Sequence, residues 1–204
     1  MATDKRNEIL TTSISEVHAL ITHGVHVIER QVARLKNVSH HEARSAVSEF
    51  ERILQTQKAM VETRIAAIGG GNATQQVRDA VSAVADVAAG VLNAVRPSET
   101  VKSIRDDDTF FSQLAVAWLM LHTTSLSLGD IETANMAERG YTEAARCLMH
   151  LDRILPRLVV QELRESVKAA DVEEQTRHMV MAAWNREASG SVSVGTNPTW
   201  PSVF

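Results

Sequence analysis

Over residues 4–37 the apolar side chains Leu10, Ile14, Val17, Ile21, Val25, Ile28, Val32 and Leu35 recur at steps of three and four. That period places them on one face of an α-helix about nine turns long, close to a heptad seam. A helix of this kind is stabilised mainly by burying its apolar face, so the chain needs further helices to pack on it. Gly24 interrupts the seam at a cost of about 1 kcal/mol relative to alanine, either to let a neighbour approach closely or as a tolerated residue.

The rest of the chain supplies such partners. Ser39 reads as an N-cap with Glu42 three residues later, as in a capping box. Ala43, Val47, Phe50, Leu54, Val61 and Ile68 then mark a second buried face. Gly69-Gly-Gly-Asn-Ala-Thr74 stops this helix. The triplet lacks the Lys-Ser/Thr of a phosphate-binding loop and reads as a plain connection. A short Ala- and Val-rich helix is expected over residues 74–95, before Pro97. Residues 96–108 read as a polar connector, in which Asp106-Asp-Asp108 caps the next helix. That helix is expected over residues 109–138. It is apolar nearly all round between Phe110 and Leu128, the pattern of a helix buried at a bundle's centre. A fifth segment covers residues 141–167. Pro156 lies inside it and should kink it, freeing the carbonyl of Asp152. A more polar helix is expected over residues 171–187.

The pattern predicts one all-α domain over residues 1–187, an up-and-down four-helix bundle with an extra short helix. Residues 188–204 form an uncharged tail, read as flexible, that ends in Trp200 and Phe204. Aromatic residues make up only 4% of the chain, which argues against a β-sandwich. The net charge of −4, with scattered lysine and arginine, offers neither a nucleic-acid stripe nor a polybasic membrane patch. Cys147 is the one cysteine, in an apolar stretch, and is expected to be a buried inert thiol. No apolar run approaches a membrane span, and the start of the chain has no apolar signal core. A cytoplasmic protein is expected.

Histidines are the concentrated chemical resource. His26 and Glu29, at i and i+3, can ligate one ion together, and the alternative is a solvated helix flank. His122 lies among Trp118, Leu119, Ser125 and Leu126 and is expected to be buried or nearly so. It is then either satisfied by Thr123, Ser125 or another helix, or it is a ligand or a proton-transfer group. His150 and Asp152 lie near Pro156, with Asp152 a candidate partner for His150 or His122. His40, His41 and His178 read as surface residues. No nucleophilic triad or zinc motif is present.

The order of two long helices, a glycine loop, a short helix, an acidic connector and two more long helices resembles the ferritin-like family of stress-associated bacterial proteins of the YciF type. Where that family carries Glu-His-Tyr-Glu-Ile, this chain reads Leu121-His122-Thr123-Thr124-Ser125, so only the histidine is kept. The family's second-helix histidine falls near Phe50 or Glu51, and its last-helix glutamates fall near Arg153 and Ile154. The resemblance implies a dimetal bundle whose metal site has degenerated. A second resemblance covers Ala117-Trp118-Leu119-Met120-Leu121, Ala145-Arg146 and Arg153-Ile-Leu-Pro-Arg157, which are similar to the C-terminal helical domain of acyl-CoA dehydrogenases.

Three functions follow as expectations. The first is a non-enzymatic assembly or interaction protein, a homo-oligomer, with Trp200 and Phe204 docking on a protein partner. The second is a metal-binding or redox bundle holding iron or manganese through His122, His26, Glu29 and His150. The third is a small-molecule bundle with a pocket lined by Trp118, His122 and Met149.

Overall fold

The computed structural model describes residues 2–36, 40–68, 100–168 and 170–189. Five helices account for almost all of them: α1 (Ala2–Leu35), α2 (His41–Ile68), α3 (Thr100–Ser127), α4 (Ile131–Ser166) and α5 (Glu173–Ser189). No strand occurs among the described residues. The expected helix over 74–95, the Ser39 cap and the tail from residue 190 onward lie outside the described residues, residues 188 and 189 being the end of α5.

The tightest packing joins α1 to α2 and α3 to α4. Contacts of α1 with α3 and of α2 with α4 close a four-helix bundle, and α5 rests on α4. Every side of the bundle is antiparallel. His18 meets Glu62 across α1 and α2. Gln31 meets Asp107, and Gly24 meets Phe110, across α1 and α3. Gln57 reaches Glu143, and Arg64 reaches Asp130, across α2 and α4.

These pairings fix the connectivity. The C-terminal end of α2 lies beside the α3–α4 turn, held there by Arg64. The first residues of α3 lie at the opposite end, where the Val101 N–H donates to Glu162 near the end of α4 at 2.9 Å. Helices α2 and α3 are therefore parallel, and residues 69–99 join opposite ends of the bundle.

The core follows the spacing read in the sequence. Leu10, Ile14, Val17, Ile21, Val25, Ile28 and Leu35 are buried on α1, and Ala43, Val47, Phe50, Leu54 and Val61 on α2. Phe50 and Phe111 meet edge to face, with centroids 4.9 Å apart. Two aromatics of α3 sit over glycine notches. A Cβ on Gly24 would lie 2.2 Å from the Phe110 ring, and one on Gly140 would lie 2.2 Å from the Trp118 ring. Gly24 is thus a close-approach glycine.

Three expectations change. Helix α3 begins at Thr100, so Asp106, Asp107 and Asp108 lie inside it and cap nothing. It ends at Ser127, well short of 138, because Gly129 takes a left-handed φ of 68°. Asp130 then caps α4, its side chain accepting from the Thr133 N–H at 3.0 Å. The apolar stretch on α3 is also not buried all round. Val116, Leu119, Met120 and Leu126 are 56, 51, 61 and 49% exposed. Helix α4 runs through Pro156 to Ser166, and α5, from Glu173 to Ser189, corresponds to the helix expected over 171–187.

Candidate functional site

A dimetal bundle needs carboxylates and histidines projecting inward from four helices at mid-height. Here that level holds other chemistry. Val17 and Ile21 of α1, Leu54 of α2, Leu114 and Trp118 of α3, and Ala144 and Cys147 of α4 are buried. Polar groups are buried among them too: Ser15, His18, whose Nε2 lies 3.2 Å from Glu62 Oε1, and the amide of Gln57. The Gln57 Nε2 donates to Glu143 Oε2 at 2.9 Å and to the Gly140 carbonyl at 3.3 Å, and its Oε1 accepts from the Trp118 indole at 3.3 Å. Every hydrogen-bonding atom of this amide is used, so it ties three helices together as a structural clasp.

The residues singled out for metal lie on separate parts of the fold. His26 and Glu29 are paired at 3.7 Å on the exposed flank of α1. His122 is half-buried on α3. The hydroxyl of Thr123 donates to the Leu119 carbonyl instead, and Ser125 Oγ is buried with no partner among the described residues. His150 is half-buried on α4, its ring edge-on to Phe50 at 5.9 Å. Asp152 accepts from the Trp184 indole at 3.1 Å, a partner on α5. Among the described residues no three His, Cys, Asp or Glu side chains are grouped so as to hold one ion.

The pocket residues also separate. Trp118 is fully buried against Gly140, whereas Met149 lines an open cleft between α4 and α5 with His150. Trp200 and Phe204 lie outside the described residues. Of the surface histidines, His178 is exposed beside Glu174, and His40 Nδ1 lies 3.1 Å from Gln161 Oε1.

Two buried groups have displaced acidities. Burial, with the nearby Glu143 and Glu49 carboxylates, pushes the Cys147 thiol up to about 12, so it stays protonated and inert. Burial pushes the Asp107 carboxyl up to about 8, against the Gln31 amide that donates to it at 2.8 Å. Asp107 is a group that sequence reading missed, because an acidic triplet before an apolar helix has the look of a cap.

The outer face of α3 is the other site-sized feature. Val116, Leu119, Met120, Thr123 and Leu126 follow at helical steps and form one exposed stripe. From Thr109 to Gly129 the chain has no Asp, Glu, Lys or Arg. The stripe is therefore largely apolar and uncharged over about 15 Å of helix axis. No family model matches the chain, and neither the curated proteins nor the solved structures give a match.

Proposed function

We propose that this chain is a non-enzymatic, ferritin-like bundle that works in assembly, pairing with a second copy of itself through the outer face of α3. The carrying observation is the exposed stripe of Val116, Leu119, Met120 and Leu126. An apolar helix face of this kind in a water-exposed position is the mark of an interaction surface. A two-fold contact sets one patch against its own copy, so any charge in it would meet a like charge. A stripe without a charged side chain suits that arrangement.

Two features support the ferritin-like part. Parallel α2 and α3 require one long crossover, the connectivity of ferritin-like bundles among four-helix folds. The mid-bundle level is filled by apolar side chains, the Gln57 clasp and the buried His18, and among the described residues no third metal-ligating side chain joins His18 and Glu62, as in a bundle that has lost dimetal chemistry. A cytoplasmic location and a docking role for Trp200 and Phe204 belong to the same proposal. Truncation after Ala188 should then weaken capture of a protein partner without altering self-association.

The test is analytical ultracentrifugation of the full chain beside Met120→Lys and Leu119→Glu. A wild-type dimer that becomes monomeric in both variants, at unchanged helicity, is expected. A monomeric wild type at about 100 μM would remove the proposal, because that concentration exceeds the Kd of any functional homodimer of micromolar strength.

A further inference from the structure

We infer that the cleft between α4 and α5 binds a small anion carrying phosphate groups. The cleft has a volume of about 670 Å³, inside the range of small-molecule sites. On α4, Arg146, His150, Arg153 and Arg157 follow at steps of four, three and four, so one stripe of the helix turns them toward it. Arg177 faces them from α5.

The arginines are not equivalent. Arg157 pairs with Glu42 of α2 and with Glu173 of α5, the latter at 3.3 Å. Arg177 pairs with Glu174 at 2.6 Å. Among the described residues, Arg146 and Arg153 have no hydrogen-bond or ion-pair partner. The carboxylate nearest in sequence to Arg153 is Asp152, and it takes the Trp184 indole instead. The cleft thus holds four arginines against three glutamates, in a chain whose net charge is −4. Its positive surplus rests on the two guanidinium groups left without partners.

The geometry points to phosphate rather than carboxylate. Arg146 and Arg153 lie one heptad apart, about 10 Å along the axis, and their long stems can converge on a group between them. A carboxylate presents one pair of oxygens, matched to one guanidinium fork, whereas a phosphate presents separate pairs to two forks. Met149 and Ile154 add an apolar strip beside the arginines, where the organic part of a phosphorylated molecule can lie.

The experiment is isothermal titration of the full chain with inorganic pyrophosphate, with citrate as a carboxylate control. Arg146→Met and Arg153→Met are titrated alongside, with helicity checked by circular dichroism. Both side chains are exposed, so neither change should disturb folding. One pyrophosphate per chain is expected, with affinity falling about tenfold in each variant and citrate binding at least about tenfold more weakly. Arg153→Lys should also lose most of the affinity, since it keeps the charge but not the fork. Absence of saturable binding, or binding that both Met variants leave unchanged, would overturn the site. Citrate binding as tightly as pyrophosphate, or an undiminished Arg153→Lys, would overturn its phosphate chemistry.

Discussion

At the scale of single residues, Asp107 is the most consequential departure from a plain helical core. It lies inside α3 at 4% exposure, with the Gln31 amide donating to it and Asp106 beside it adding like charge. Its carboxyl is raised from the usual value near 4 to about 8. A raised acid binds its proton more tightly in the folded state. The stability it contributes is therefore full below about pH 4 and is lost as pH rises through about 8. Asp107→Asn keeps an oxygen for the Gln31 amide and removes the charge. The variant should match wild type near pH 4 and exceed it near pH 8, by a few kcal/mol on the scale of about 1.4 kcal/mol per pH unit. Thermal unfolding across that range measures it. A wild-type advantage at pH 8 would mean that the charged carboxylate has a stabilising role in the fold.

At the scale of elements, the contacts of α3 turn on glycine notches, and Gly140 is the sharper case. Alanine in place of a helical glycine normally gains about 1 kcal/mol. At Gly140 the added methyl would sit 2.2 Å from the Trp118 ring, which is fully buried and bonded to Gln57. Relieving that overlap means moving Trp118 and breaking the clasp, which costs about 1–3 kcal/mol for the overpacking plus about 1 kcal/mol for the hydrogen bond. Gly140→Ala should thus destabilise by about 2 kcal/mol, read as a lower urea midpoint. A midpoint at or above wild type would show that the ring has room to shift.

The same elements show what was legible in the sequence. The buried faces of α1 and α2 could be read because a 3.6-residue period is a local property. The start of α3 is not legible there, because three aspartates before an apolar run look like a cap, and the Gln31 amide that donates to Asp107 lies on another helix. The α3–α4 turn is hidden in the sequence because apolar spacing continues across it through Leu126, Leu128 and Ile131. What closes that turn is tertiary. Arg64 of α2, largely buried, holds both Asp130 oxygens at 2.8 Å and the Thr133 hydroxyl at 2.8 Å. The partnerless arginines of the α4–α5 cleft were likewise visible only as charges, because pairing is decided by where α5 lies.

At the scale of the whole molecule, pattern alone left open what covers the apolar surplus of α3. The helix was expected at the bundle's centre because it is apolar on every side. In the fold it buries one face against α1 and α4 and leaves the other in water. Burial of that second face contributes roughly 25 cal/mol per Å² when a partner covers it. If the partner is a second copy, folding and pairing are linked, and the apparent stability must depend on protein concentration. The melting temperature of the wild type should rise by a few degrees between about 1 and 100 μM, as a linkage of roughly 1–3 kcal/mol requires. In Met120→Lys it should be independent of concentration and equal to the dilute wild-type value. A concentration-independent wild type would uncouple the α3 face from folding and exclude the second copy as its cover. The α4–α5 cleft lies apart from this face, so its occupancy by phosphate would be unaffected by either result.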